Sequence, residues 1–180
     1  MLAVLSDSHV PNRSPGIAEE FIEKLREADV AVHCGDFATE EVYEDLEEQA
    51  EELHAVKGNC DFFDLPNSET FEREGVKFGV YHGTGITPRG DHETLVDIAQ
   101  NKLEVDVLLT GHTHQQEAYS QGEVILLNPG TCTGVGGGSY HGGQPKMMTL
   151  EVEEDELLVK KHTLDEDMKL ETGTERLELV

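Results

Sequence analysis

The sequence predicts a single α/β domain built in layers, and three observations carry that prediction. From the N-terminus to Lys57, short apolar runs alternate with amphipathic stretches in the order strand, helix, strand, helix, strand. That order calls for crossover connections and parallel pairing. Beyond Thr70 apolar runs pair across short turns and read as hairpins added to the parallel unit. The length of 180 residues matches the roughly 100 to 200 residues of one domain and suffices to bury a core without covalent staples.

Residues 2–5, Leu-Ala-Val-Leu, are apolar and stop at Ser6-Asp7-Ser8-His9, as a buried strand ending in a functional loop does. Pro11, Pro15 and Gly16 punctuate that loop. Ile17, Phe21, Leu25 and Ala28 then recur at helical spacing between Glu19, Glu20, Glu23 and Lys24, so an amphipathic helix follows. Residues 29–33 resume strand character and run into Cys34-Gly35-Asp36. A second helix is expected over about 39–52, with Thr39 as N-cap, Glu40 and Glu41 at its positive end, and Val42, Leu46 and Leu53 facing inward. Residues 53–56 make a third short strand before Lys57-Gly58-Asn59-Cys60-Asp61. Next come a hairpin over 70–81 turning at Glu74-Gly75, a helix after Gly90-Asp91 with Leu95, Ile98, Ala99 and Leu103 inward, and a strand over 105–110. Two more hairpins turn at Gln121-Gly122 and Glu154-Asp155. The domain is placed at 1–164; the acidic, weakly patterned residues 165–180 read as an edge strand or a frayed tail.

Thirteen Lys and Arg stand against 38 Asp and Glu, a net charge of -25. Such self-repulsion weakens a compact state at low salt. Screening relieves it, because the Debye length contracts to about 3 Å at 1 M salt. The surface therefore reads as halophilic, suited to a saline cytoplasm. The same charge disfavours nucleic acid and anionic membranes as partners, without excluding nucleic acid at high salt. No run approaches the roughly 20 apolar residues of a membrane span, and the opening apolar run is too short for a secretory signal. Cys34, Cys60 and Cys132 are odd in number and form no Cys-x-x-Cys pair, which reads as reduced thiols in a cytoplasmic protein. The oligomeric state is left open.

One regularity dominates: strand after strand ends in a small residue beside an oxygen or imidazole ligand. Asp7 and His9 follow the first strand, Asp36 follows Gly35, Asn59 follows Gly58, His82 precedes Gly83, and His112 and His114 follow Gly111. Singly, Asp7 reads as a cap, Asn59 as a turn residue and His82 as a satisfied buried histidine. Their recurrence at successive strand ends points to a shared site, since open α/β sheets bind ligands outside the carboxyl ends of their strands. Seven such groups exceed the four positions of one tetrahedral ion. They suit two adjacent divalent ions sharing a carboxylate, and the lack of thiolate favours manganese, iron, zinc, nickel or cobalt over a structural zinc. Two ions about 3.5 to 4 Å apart are the arrangement that hydrolyses phosphate esters.

Taken in order, Asp7-x-His9, Gly35-Asp36, Gly58-Asn59-Cys60-Asp61, His82-Gly83 and Gly111-His112-x-His114 resemble the five blocks of the calcineurin-like metallophosphoesterase superfamily. The short chain, the Gly-Asn-Cys-Asp block and Asn128-Pro129-Gly130-Thr131 are similar to its small archaeal and bacterial phosphodiesterase branch, over residues 1 to about 152. The resemblance implies two mixed β-sheets packed as a sandwich and flanked by helices, with the site at the strand ends. It implies Asp7, His9 and His114 on a first metal, Asn59, His82 and His112 on a second, and Asp36 bridging, with manganese foremost. It also implies a bridging hydroxide as nucleophile toward a small phosphodiester.

Cys60 departs from the many relatives that place a histidine there. A thiol with a pKa of about 8.5 is a weak proton donor and uncharged at neutral pH. Either it merely packs beneath the site, or general acid help worth about 10²- to 10⁴-fold is missing or comes from another group. Arg13, close after His9, is a candidate to reach a substrate phosphate. His141 lies in the glycine-rich stretch 134–143, read as a mobile flap, and is a candidate to touch substrate. His33, His54, His92 and His162 fit no block and read as structural or surface.

The alternative functions are a phosphomonoesterase or nuclease on the same metals and a non-catalytic scaffold like the retromer subunit of this fold. That subunit departs from the second-metal pattern, whereas Asn59 and His82 are both present here. The salt reading is tested by following unfolding from low to multimolar KCl. The midpoint should climb with salt, and an unmoved midpoint discards the halophilic reading.

Overall fold

The run Leu2–Leu5 is strand β1, buried at every position, as an apolar run without alternation demands. The chain leaves it through helix α1 (Glu19–Glu27), whose Phe21, Ile22 and Leu25 face inward. It returns as β2 (Val30–His33), parallel to β1, with Leu2 opposite Val30 and Leu5 opposite His33. Helix α2 (Glu40–Gln49) then leads to β3 (Leu53–Ala55), parallel to β2. The second helix stops short of the predicted residue 52 because the backbone is already sheet-like there: the Ala31 N–H donates to the Glu52 carbonyl at 2.8 Å. Thr39 does occupy the N-cap position, with φ -135° and ψ 151°, but its hydroxyl makes no capping bond and is buried without a partner.

The computed structural model describes residues 1–180, and after β3 it continues with the hairpin β4 (Ser68–Arg73) and β5 (Val76–Tyr81). Helix α3 (His92–Asp97) opens with a true side-chain cap, the Asp91 carboxylate accepting from the Thr94 N–H at 3.0 Å. It loosens into a π-helical segment (Ile98–Leu103) that ends on Glu104 at φ 54°. Strands β6 (Val107–Leu109), β7 (Gln116–Gln121), β8 (Val124–Pro129), β9 (Lys146–Glu153), β10 (Glu156–Leu164) and β11 (Leu170–Glu178) complete the chain.

The strands form two mixed sheets, ordered β11-β10-β9-β1-β2-β3 and β4-β5-β6-β8-β7. In the first, β1, β2 and β3 are parallel and β9 to β11 are added antiparallel. In the second, β5, β6 and β8 are parallel, with antiparallel strands at both edges. Residues 170–178, in the stretch open between edge strand and tail, form the outer strand of the first sheet.

Alternation within the strands divides the core into layers. Leu2, Val4, Val32, Phe78, Val80, Leu109 and Leu127 meet between the sheets. Ala3, Leu5 and Ala31 point the other way, onto α1 and α2, and Leu108 and Leu126 pack on α3 and the π-helical segment. No helix is long and apolar enough to cross a membrane. Phe78 sits fully buried between the sheets, so Phe78→Ala should cost about 3 to 5 kcal/mol of stability. Urea titration checks this, and a change below about 1 kcal/mol contradicts the packing assigned to it.

Candidate metal centre

The parallel strands of both sheets end at one place, and that is where the polar residues are buried. Asp7, His9, Asp36 and His114 gather with ligand atoms all within 4.8 Å of one another, and Asp36, His82 and His112 form a second such group. Asp36 belongs to both. The His114 Nε2 lies 3.2 Å from Asp7 Oδ1, while His9 Nε2 and His82 Nε2 lie 3.5 and 3.4 Å from Asp36 Oδ2.

Backbone hydrogen bonds carry the β1–β2 pairing past the strand ends and so fix the loops. The Asp7 N–H donates to the Gly35 carbonyl at 3.0 Å and the His9 N–H to the Asp36 carbonyl at 3.1 Å. The turn Asn128-Pro129-Gly130-Thr131 joins the sheets: Asn128 Nδ2 donates to the Gly111 carbonyl at 2.8 Å and Thr131 Oγ1 to the Asp7 carbonyl at 2.9 Å.

The backbone at the ligands is strained. Asp7, His9, Asp36, His112 and His114 have φ of 52°, 49°, 60°, 69° and 63°, in the left-handed region that non-glycine residues rarely occupy and that costs on the order of 1 to 3 kcal/mol each. The neighbouring glycines make room. A Cβ on Gly58 would stand 2.1 Å from Asp36 Oδ1, and one on Gly111 would stand 2.1 Å from Ser6 Oγ.

Each side chain is also held from behind. His82 Nδ1 donates to the Cys34 carbonyl and His114 Nδ1 to the Val135 carbonyl, both at 2.7 Å. These bonds place the lone pair of the neutral imidazole on Nε2, facing the cluster, the tautomer control typical of metal-binding histidine. Asp7 Oδ2 accepts from Ser6 Oγ at 2.7 Å and from the His112 N–H at 3.0 Å, leaving Oδ1 for the cluster. Asp36 Oδ1 accepts from the Cys60 N–H at 2.7 Å. Behind the cluster, His33 Nδ1 accepts from the Gly35 N–H at 3.2 Å, so Nε2 carries the proton it shares with Ser8 Oγ at 3.2 Å.

The titration behaviour reflects burial opposed by charge. Burial raises the Asp36 carboxyl, but His82 close beside it and its charge, the Cys60 N–H and His9 outweigh it and hold it well below the usual range. Burial likewise raises Asp7, and His114 and His82 bring it below its ordinary value. Burial lowers His82, but the Asp36 carboxylate 3.4 Å from its Nε2, together with that of Asp7, pushes it up to about 9. His114 is raised for the same kind of reason, through Asp7. His112 falls to about 4 through burial and the charges of His82 and Arg89. Burial and Asp36 push the Cys60 thiol up to about 11, which makes it a neutral thiol at ordinary pH.

The donor set fits divalent cations. Asp7 Oδ1 and His82 Nε2 are buried with no hydrogen-bond partner, and His9 Nε2 faces His114 Nε2 at 3.3 Å. Converging imidazole lone pairs and carboxylate oxygens without a partner of their own are what a cation would satisfy.

The other predicted residues lie at the rim. Asn59 is exposed, its amide nitrogen turned to Cys60 Sγ at 3.3 Å. Arg13 and His141 are exposed; the Arg13 N–H donates to the His9 carbonyl at 2.8 Å, and its charge adds to the lowering of His9, which burial dominates. In the glycine-rich stretch 134–143, Gly137 and Tyr140 are bridged and Gly137 packs on the His114 ring.

Two residues escaped the sequence reading. Asp61 accepts from the N–H groups of Asp36 and Gly58 at 2.8 Å and of Ala38 at 2.9 Å, holding the Asp36 loop from below; its place in the Gly58-to-Asp61 block was the available signal. Arg89 donates to the His112 carbonyl at 3.3 Å, and nothing in its local sequence marked it.

Residues 1–155 match the calcineurin-like phosphoesterase superfamily domain. Probable metallophosphoesterases of Methanocaldococcus jannaschii and Methanothermobacter thermautotrophicus are each 35% identical, over 133 residues (74% of this chain, 68% of the relative) and 136 residues (74% and 77%) respectively. Among solved structures, wild-type Vps29 of Entamoeba histolytica complexed with zinc superposes with a TM-score of 0.84 at 34% identity, covering 98% of each chain. The fold and its buried His/Asp cluster thus define a metallophosphoesterase-type domain. The chain belongs to the calcineurin-like phosphoesterase superfamily.

His82 at about 9 is protonated at neutral pH in the metal-free protein. Its contribution to metal-free stability is therefore full below its ordinary value of about 6.5 and fades as pH rises through about 9. Metal loading at pH 7 should expel that proton, so apparent affinity should climb with pH up to about 9. Calorimetry in buffers of different ionisation enthalpy reads the proton. In His114→Ala, elemental analysis should find fewer bound ions than in the unaltered chain; an unchanged count removes His114 from the ligand set.

Proposed function

We propose that this protein is a metal-dependent phosphodiesterase acting on small phosphodiesters. The observation that supports it most is the pair of buried clusters sharing Asp36, with Asp7 Oδ1 and His82 Nε2 left without hydrogen-bond partners. Asp7, His9 and His114 would hold one ion, and His82, His112 and Asn59 the other, with Asp36 common to both. Bound there, two divalent ions supply a nucleophile from water at neutral pH and offset the charge that develops on the phosphoryl oxygens. Manganese is the metal we favour; zinc, nickel, cobalt and iron suit the same donors.

The residues of the chain orient and polarise. The Cys34 and Val135 carbonyls keep His82 and His114 presenting Nε2. Cys60 fixes Asp36 through its backbone N–H and offers a neutral thiol where an imidazolium would carry charge. Esters with acidic leaving groups, which depart without a proton, should therefore turn over fastest. Arg13 and Arg89 are cationic side chains near the rim, available to a phosphate oxygen. The charge of -25 favours a small substrate over a polynucleotide, and we place the protein in a salt-rich cytoplasm.

Hydrolysis of bis(p-nitrophenyl) phosphate with manganese, nickel or cobalt tests the reading. We expect turnover that falls by roughly 10²-fold or more in His82→Ala. No hydrolysis with any of these metals overturns it in favour of a non-catalytic scaffold. Activity confined to p-nitrophenyl phosphate makes the protein a monoesterase.

A further inference from the structure

A cavity of about 550 Å³ lies beside the Asp36 and His82 group, lined by Lys57, Gly58, Asn59, Phe62, Tyr81 and Thr84 among others. Phe62 is 91% exposed there. Its neighbour Phe63 turns inward against Phe37 and Tyr43, so the two rings divide between core and solvent. The loop that displays Phe62 is anchored. The Lys57 N–H donates to the Pro66 carbonyl at 2.8 Å and closes its base. Leu65 packs on the core under α1 and α2, and the Asp61 carboxylate ties the loop to the backbone of Asp36 and Ala38.

The opposite flank of the centre contrasts with this. The cavity beside His112 and His114, about 220 Å³, is lined by Arg89, Thr113, Gln115, Glu117, Gly137 and Ser139 among others, with no apolar residue. Of these two cavities, only the first carries aromatic side chains in its lining. An apolar ring held in water by an anchored loop is a stacking platform, and a planar base is the group that gains most from it.

We propose that Phe62 and Tyr81 bind the base of a nucleoside phosphodiester, so that the substrate is a nucleotide ester whose aromatic arm lies against the loop 57–66. This rests on the phosphodiesterase reading above and assigns its substrate class. Lys57, at the edge of the same cavity, meets the anionic part of such a ligand.

The test is calorimetric binding to the manganese-loaded protein in high salt, comparing thymidine 5′-monophosphate with ribose 5-phosphate. Both carry the phosphate; only one carries a base. The nucleotide should bind roughly five- to 150-fold more tightly, the span for one base–aromatic stack. Phe62→Ala should bring that ratio to near one, while Phe62→Tyr should preserve it. Phe62 is exposed, so removing the ring leaves the fold intact, which circular dichroism verifies. A ratio near one in the unaltered chain overturns the inference, as does a ratio that survives Phe62→Ala, even if that variant changes the oligomeric state. If ribose 5-phosphate binds and the base adds nothing, only the substrate class fails. If neither phosphate binds while bis(p-nitrophenyl) phosphate is still hydrolysed, the inference falls and the phosphodiesterase reading stands.

Discussion

Two carboxylates removed from water set the terms for the rest of this molecule. Asp7 and Asp36 are 0% and 2% exposed, in a chain that already carries a net charge of -25. A buried carboxylate is tolerated only when paired and hydrogen-bonded. The protein supplies part of that: Ser6 and the His112 N–H hold one oxygen of Asp7, and the Cys60 N–H holds one oxygen of Asp36. The other oxygens face histidines. Without metal, the balance is kept by protons, which is why His82 and His114 are raised while both carboxyls are lowered. A cation there would answer the same demand with more charge and would give Asp7 Oδ1 and His82 Nε2 a partner.

The sandwich makes this arrangement affordable. Left-handed backbone at five ligands is costly, and it persists only where the surroundings over-determine it. Here the loops are stitched to one another by the bonds that continue the β1–β2 ladder, by the Asn128–Thr131 turn between the sheets, and by Asp61 beneath Asp36. The apolar layers on both sides of β1 supply the burial that offsets the strain. Stability and site are therefore coupled through the strand ends, where a change such as a side chain at Gly58 or Gly111 would disturb both.

Around this rigid centre the rim differs from one side to the other. Arg89 and the glycine-rich stretch lie toward His112 and His114, and the Phe62 loop lies toward Asp36 and His82. Cys60 sits between as a neutral, raised thiol. Asp36 is thus held by the Cys60 N–H and the Asp61 carboxylate, whereas the Phe62 ring stands outside that network at 91% exposure.

The sequence by itself determined the alternation of strands and helices and where the polar residues fall relative to strand ends. Both are local: apolar periodicity and turn residues act over a few positions, and the Gly-flanked His and Asp blocks sit at the ends of apolar runs. It missed what depends on distant neighbours. Thr39 has the identity of a cap and makes no capping bond, and Gly137 within the stretch 134–143 lies against the His114 ring. The resemblance already implied Asp36 between the two histidine groups; only the tertiary structure decided that Asp7 and His82 each keep an unpartnered atom and that Arg89 reaches His112. The reason is physical: these relations join residues up to about a hundred positions apart, through left-handed turns and close backbone approaches that no local propensity encodes.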